Sequence, residues 1–311
     1  MLENTIQIFG IQVNIDPVAF TIPAINWKVY WYGIIIALGF ILAIIYCFKR
    51  AGKFGVDSDK LLNCVLVTAP LAIICARLYY VVFNPDTSFT QFFNIHQGGL
   101  AIYGGVIGAV VVGIICCKMW KVNILSTLDL ASLGFLIGQG IGRWGNFVNQ
   151  EAYGAATNSD WFGMTGGKIA LEMGDGVLVH PCFLYESVWC LLGFLLLHFI
   201  SKKRKFDGEL GCIYLIWYGF GRMIIEGFRT DSLYLGSFRV SQILSALMVI
   251  AGVILLIIGL KKVNDRKKDA EYSPVFSDNS ENEVTVEPVE NIQTDDLIDN
   301  NEEDNDNGTD N

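Results

Sequence analysis

Two short runs of this chain hold charge inside otherwise apolar sequence. In the first, Tyr218, Arg222, Glu226 and Arg229 are spaced 4, 4 and 3. That spacing places all four on one face of a helix. The second is Gly142-Arg143-Trp144-Gly145-Asn146-Phe147-Val148-Asn149-Gln150-Glu151-Ala152-Tyr153-Gly154. Arg143 and Asn146 are three apart and share a face, and Asn149 and Glu151 follow where the apolar run ends. A guanidinium holds a phosphate through paired hydrogen bonds, so both runs are candidate anion-binding sites. An Arg222–Glu226 pair could equally neutralise itself on insertion into a membrane. That reading leaves Arg229 unexplained. It also leaves the Arg143–Glu151 run unexplained, which is too polar for a packing motif.

Weaker signals surround these two. Gln97-Gly98-Gly99-Leu100-Ala101-Ile102-Tyr103-Gly104-Gly105 sets paired glycines about one tyrosine, as a backbone approaching a ligand or a re-entrant turn would. His180-Pro181 followed by Tyr185-Glu186 opens another apolar run, and Arg77 lies within one. Gly134, Gly138 and Gly142 recur every four residues, a spacing that suits close helix packing. The cysteines lie mostly in apolar runs with no C-x-x-C pair, and they read as packing residues. No zinc spacing, H-E-x-x-H or P-loop occurs, so neither metal nor cofactor is expected.

The elements that must position these residues are apolar. The chain has 311 residues, 52% hydrophobic and only 17% charged, where soluble domains average about 25% charged. This argues against a soluble enzyme, a disordered protein and a nucleic-acid binder, so no nucleic-acid partner is expected. The net charge of −9 is uneven: residues 269–311 hold 8 Asp and 7 Glu with no Lys or Arg, leaving a mildly basic body. Seven stretches approach the roughly 20 apolar residues a membrane span needs: 29–48, 61–83, 99–117, 124–142, 183–200, 210–228 and 239–260. The fourth is the weakest, with Asp129, Gln139 and several glycines.

Basic residues follow every odd-numbered run: Lys49, Arg50 and Lys53; Lys118 and Lys121; Lys202 to Lys205; and Lys261 to Lys268. The even exits are nearly free of them. The positive-inside rule then sets the N-terminus outside and the C-terminus in the cytoplasm. The expected architecture is an all-α integral membrane protein of seven transmembrane helices. It comprises an extracytoplasmic N-terminal segment (1–28), a membrane catalytic domain (29–262) with a small turn-rich extracytoplasmic cap (147–182), and a disordered acidic cytoplasmic tail (263–311). Ionisable groups within spans cost about 2.5–3.5 kcal/mol each at the bilayer centre on insertion scales, which makes them functional candidates.

The run Gly142-Arg143-x-Gly145-Asn146-Phe147-x-Asn149-x-Glu151-x-x-Gly154 resembles the hallmark motif of the bacterial prolipoprotein diacylglyceryl transferase family. Further blocks resemble that family in the same order. They are Trp31-Tyr32-Gly33, Ala76-Arg77-Leu78-Tyr79-Tyr80, Gly98-Gly99-Leu100 to Gly104-Gly105, His180-Pro181 to Tyr185-Glu186, Tyr218 to Arg229, and Ser241-Gln242-Ile243-Leu244-Ser245. Together they cover about residues 30–252. One departure is Tyr103, where many members carry His.

The resemblance implies a multi-pass enzyme of the bacterial plasma membrane that performs the first step of lipoprotein maturation. Its reaction moves the diacylglyceryl group of phosphatidylglycerol to the lipobox cysteine of a prolipoprotein signal peptide. A thioether forms and glycerol 1-phosphate leaves. The nucleophilic thiol belongs to the substrate; its ordinary pKa is about 8.5, so it must lose a proton, and the leaving phosphate must be stabilised as charge builds. Arg143 and Arg222 suit the second demand, and Glu226, Glu151 or Tyr103 could serve the first. The implied lipid-binding residues are Arg143, Asn146, Gly154, Arg229 and Tyr32. The rival reading is a transporter, or an anionic-lipid-binding membrane protein without catalysis. A transporter would often show a repeated half-structure, and none is visible.

The tail composition cannot offset ordering entropy, and topology places it opposite the site. Truncation after Lys268 is therefore expected to leave transfer in purified membranes intact. A large loss of specific activity at equal expression would contradict this.

Overall fold

The described residues before position 31 form short strands. The computed structural model describes residues 4–24, 26–84, 89–93 and 99–268, within a unit spanning residues 1–277. Strand β1 (Thr5–Ile8) turns back into β2 (Ile11–Asn14) through Phe9 and Gly10, both at positive φ. That is the backbone a two-residue hairpin favours. A second hairpin joins β3 (Val18–Ile22) to β4 (Trp27–Tyr30).

Eight α-helices follow among the described residues: α1 (Trp31–Ala51), α2 (Ser58–Phe83), α3 (Ile102–Met119), α4 (Ile124–Asn149), the short α5 (Gly167–Met173), α6 (Cys182–Ser201), α7 (Glu209–Phe228) and α8 (Val240–Lys268). Strand β5 (Met164–Gly166) precedes α5, and the small hairpin β6 (Tyr234–Leu235) and β7 (Phe238–Arg239) links α7 to α8. Local chemistry sets two of the helix starts. Asp57 accepts the Asp59 and Lys60 amides at the head of α2, and Asn123 accepts those of Leu125 and Ser126 at the head of α4.

Among the described residues, six helices are long and apolar enough to cross a membrane: α1, α2, α3, α4, α6 and α8. The chain is thus a mostly helical integral membrane protein. The fourth run, expected to be the weakest, is among the six. The 20-residue α7 is not, because it carries Glu209, Arg222 and Glu226.

Several boundaries depart from expectation. The all-α reading omits the seven short strands found among the described residues, which lack the length or alternation to stand out beside apolar runs. The N-terminal segment and the 147–182 cap are one structure. Strand β1 pairs with β5 as well as β2, and Ile6 packs in a common core with Phe147, Tyr153, Met164, Ile169, Val179 and Phe183. Helix α4 runs seven residues past 142, so Arg143 and Asn146 occupy its last two turns. It stops where Gln150 adopts a left-handed conformation. Helix α8 extends to Lys268, through the first residues assigned to the tail. Gln97, Gly98 and residues 269–311 lie outside the described residues.

Helix α1 packs on α4, α2 on α3, and α4, α6, α7 and α8 form the rest of the bundle. Short connections at 52–57, 120–123 and 202–208 gather one set of helix ends with the basic residues; the cap sits at the other. Glycines allow the closest approaches. A Cβ on Gly134 would come within 2.9 Å of Cys47 Sγ, and one on Gly108 within 2.5 Å of Cys75 Cβ. All eight cysteines are free thiols.

Helices α6 and α7 lock through Trp189 and Trp217. Their rings stack at 4.3 Å, and each indole N–H donates to the other's backbone carbonyl, at 2.9 and 3.0 Å. A Cβ on Gly221 would collide with Trp189 Nε1. Gly221→Ala should therefore break the stack and cost about 1–3 kcal/mol of stability by overpacking. A lower melting temperature in detergent, with loss of the stacked-indole circular dichroism, is the expected result.

Candidate functional site

One buried carboxylate organises the end of the bundle beneath the cap. Glu186, one turn into α6, is only 2% exposed. Its Oε1 accepts from Arg143 Nη2 of α4 at 2.5 Å and its Oε2 from Arg222 Nη1 of α7 at 3.0 Å. The Tyr218 hydroxyl adds a third donor, to Oε1, at 3.3 Å. Three helices therefore meet on one side chain. The two arginines, 79 residues apart in sequence, flank it from opposite oxygens.

Beyond Glu186 the charges form a chain. Arg222 Nη2 lies 2.7 Å from Glu226 Oε2, one turn on. That oxygen has no well-aligned hydrogen-bond donor among the described residues, so the contact is coulombic. Arg229 is 4.0 Å from the same oxygen and turns to Asp231, which it grips with two hydrogen bonds of 2.8 and 2.5 Å. Burial works against a charged Asp231, but the Arg229 guanidinium outweighs it and holds the carboxyl below the usual carboxylate range. Arg239 donates to the Glu226 backbone carbonyl.

On the cap side, Arg143 Nη1 donates to Asn146 Oδ1 at 3.3 Å. Asn146 in turn donates to Glu151 Oε1 at 2.8 Å, and Asn149 to the same oxygen at 3.4 Å. Glu151 is exposed. The polar run of the sequence is thus a relay from the half-buried Arg143 to a solvent-facing carboxylate. Gly154 lies where three segments cross: its amide donates to His180 O at 2.9 Å, and it bridges to Arg229. A Cβ there would meet His180 Cβ at 2.7 Å and Phe228 O at 2.8 Å. Close backbone approach alone therefore requires glycine at this position.

The structure brings Arg143, Arg222, Glu226, Asn146 and Glu151 into one connected network and sets Arg229 at its edge. Tyr32 of α1 lies with its ring against Gly145, where a Cβ would be 2.7 Å from Cδ2. Tyr103 is near the start of α3, which packs on α2, and among the described residues it makes no hydrogen bond to this network. Arg77 hydrogen-bonds the Phe92 and Gly99 carbonyls and so fixes the chain entering α3. His180 is paired with the Tyr185 hydroxyl at 3.0 Å.

Glu186 stands in the sequence as an ionisable group opening an apolar run, within the block His180-Pro181 to Tyr185-Glu186 and as a possible partner of the arginines, but it is absent from the expected catalytic set. Which arginines it meets depends on how α4, α6 and α7 pack, and spacing within one helix cannot encode that.

Two guanidiniums offer up to ten N–H groups, and the contacts above use only part of them. The cluster is close to neutral: Arg143 and Arg222 balance Glu186 and Glu226. It can therefore receive an anion while keeping its own internal charges paired. Removing the hub charge breaks that balance. Glu186→Gln should destabilise the folded protein by about 3–5 kcal/mol, the range for orphaning a buried pair. Thermal unfolding in lipid nanodiscs checks this, and an unchanged midpoint would show that the arginines have other partners.

Comparison with known proteins places these features together. The family model described as prolipoprotein diacylglyceryl transferase matches residues 17–258. A phosphatidylglycerol–prolipoprotein diacylglyceryl transferase of Clostridioides difficile (strain 630) is 44% identical over 242 residues, covering 77% of this chain and 93% of that protein. The protein of the same name from Finegoldia magna is 45% identical over 246 residues, 78% of this chain and 95% of its own length. That from Bacillus anthracis is 42% identical over 251 residues, 79% and 93%.

Proposed function

The chain belongs to the prolipoprotein diacylglyceryl transferase family, and we propose that Arg143 and Arg222, held by Glu186, form the centre on which its reaction runs. The enzyme is a transferase that moves the diacylglyceryl group of phosphatidylglycerol to a prolipoprotein. The acceptor is the lipobox cysteine thiol of the signal peptide. Its sulfur attacks the glyceryl carbon that bears the phosphate, a C–S bond forms, and the C–O bond to the phosphate breaks. Glycerol 1-phosphate departs carrying one more negative charge than the lipid phosphate held.

That extra charge is the demand the site meets. Two preorganised guanidiniums in a water-poor setting stabilise the leaving phosphate more in the transition state than in the bound lipid. Glu186 holds them on either side of one point and keeps them from repelling each other before the lipid arrives. Glu226 does the same for the far side of Arg222. Asn146 orients Arg143, and Tyr32 and Arg229 bound the lipid headgroup.

The thiol proton goes to Glu151. Glu186 is the ionic partner of Arg143, so protonating it would orphan that guanidinium, and Glu226 is buried against Arg222. Among the described residues Glu151 accepts from two neutral amides, and it faces solvent. Tyr103 lies outside the network, and an ordinary tyrosine pKa near 10 makes it a poor base at neutral pH. The observation that carries this reading is the shared Glu186 carboxylate, which sets two arginines beside one another at the end of the bundle away from the basic clusters.

The membrane arrangement follows. Helix α7 is a seventh span whose charges are tolerated because they pair within the bundle. The N-terminus and cap lie outside, and the C-terminus lies in the cytoplasm of a bacterial cell. The site then sits in the outer leaflet of the plasma membrane, where a signal peptide presents its cysteine.

The direct assay supplies labelled phosphatidylglycerol and a lipobox peptide. Arg143→Lys keeps the charge but loses the fork, and transfer to the peptide cysteine should fall on the order of a hundredfold. A wild-type rate in that variant would remove Arg143 from the mechanism. A second comparison tests Arg222 and Glu226. If they act as a catalytic pair, Arg222→Leu, Glu226→Leu and the double variant all stay nearly inactive while folding. Recovery in the double variant would make the pair structural only.

A further inference from the structure

At the opposite end of the bundle a second buried charge cluster ties together the same helices that carry the two arginines. Asp129 of α4 is fully buried. Its Oδ2 accepts the Gly208 amide at 2.7 Å and Arg204 Nη1 at 2.7 Å, and its Oδ1 accepts the Gly211 amide at 2.8 Å. Gly208 and Gly211 are the cap and first turn of α7, so a side chain of α4 satisfies orphan amides of another helix. Arg204 also donates to Asp207 Oδ1 at 2.6 Å and lies over the Phe54 ring at 4.9 Å. Asp207 in turn accepts from Asn123, the residue that caps α4, at 2.9 Å. The N-terminal ends of α4 and α7 are therefore fastened to each other at four points.

The spacing links this cluster to the distant site. Asp129 precedes Arg143 by fourteen residues, and Gly208 precedes Arg222 by fourteen. Fourteen residues are just under four helical turns and about 21 Å of rise. Each partner of the clamp therefore lies on nearly the same helix face as its arginine, at the same height below it. Helices α4 and α7 run parallel, so fixing Asp129 against Gly208 sets Arg143 and Arg222 level. Between the two ends, Gln139 Nε2 donates to the Tyr214 hydroxyl at 2.9 Å, a middle rung on the same seam. A slip of one residue would move one arginine about 1.5 Å along the axis relative to the other. Misplacement on that scale can cost about a hundredfold in a positioned reaction.

We infer that Asp129, clamped to Arg204 and to the Gly208 and Gly211 amides, is a positioning residue that sets the axial register of Arg143 against Arg222. This rests on the two-arginine reading of the site. It assigns a role to the one acidic residue within the fourth apolar run, and it places a determinant of transfer at the far membrane face.

A double-mutant cycle tests it, with every rate normalised to folded enzyme in nanodiscs of phosphatidylglycerol. Asp129→Ala should lower transfer to a lipobox peptide about tenfold in the wild-type background. In an Arg222→Lys background, where the matched pair of forks is already lost, the same change should cost less than about twofold, since coupled residues are not additive. Two full, multiplying effects would overturn the proposal and leave Asp129 as a stability residue alone. If Arg222→Lys by itself leaves transfer unchanged, the two-arginine reading fails first, and the positioning role falls with it. Should Asp129→Ala not fold, Asp129→Asn keeps the shape and one backbone acceptor while losing the charge. It is then expected to give a smaller loss that again disappears in the Arg222→Lys background; persistence of that loss would overturn the proposal equally.

Discussion

A buried carboxylate shared by two guanidiniums is the interaction on which the rest of this protein depends. Placing Arg143, Arg222, Glu186 and Glu226 among apolar helices carries a desolvation penalty of several kcal/mol per ion, offset only if every charge has a close partner. Glu186 meets that condition for both arginines at once, and Glu226 meets it again for Arg222. The arrangement therefore fixes which faces of α4, α6 and α7 must meet. It also leaves guanidinium N–H groups unspent at one point, which a packed apolar core could not offer.

The cap and the helix ends serve that point. The Gly154 crossing joins the exit of α4, the entry of α6 and the exit of α7, so the segments bearing Asn146, Glu151, Glu186 and Arg229 are held at one place. Strand β1 from the N-terminus completes the cap by pairing with β5. The Trp189–Trp217 stack sets α6 against α7 below the cluster. An enzyme whose substrate brings both the nucleophile and the activated carbon needs little beyond such positioning and a stabilised leaving group.

Much of this is legible in the sequence because membranes make charge expensive. Arg143, Arg222 and Glu226 stand out as ionisable groups in apolar runs, and the 4, 4, 3 spacing by itself sets Tyr218 to Arg229 on one helical face. The hub is less legible. Glu186 acts through partners on two other helices, and periodicity within α6 carries no information about them. Asp129 reads as a flaw in the fourth run for the same reason, since Arg204 and the Gly208 amide that pair with it arrive from a connection 75 or more residues away. The short strands escape sequence reading because segments of two to five residues give no pattern to detect. Their pairing, not their composition, defines them.

The central claim is that the two arginines sharing Glu186 grip the lipid phosphate. Solid-state NMR dipolar recoupling between the phosphorus of phosphatidylglycerol and nitrogen-15 in the enzyme's arginine side chains, in native-like bilayers, measures this directly. Hydrogen-bonded guanidinium nitrogens should lie about 4 Å or less from phosphorus. The account predicts phosphorus–nitrogen dephasing in the wild type that weakens in Arg143→Lys and again in Arg222→Lys. Dephasing absent from the wild type, or unchanged in both variants, would contradict it.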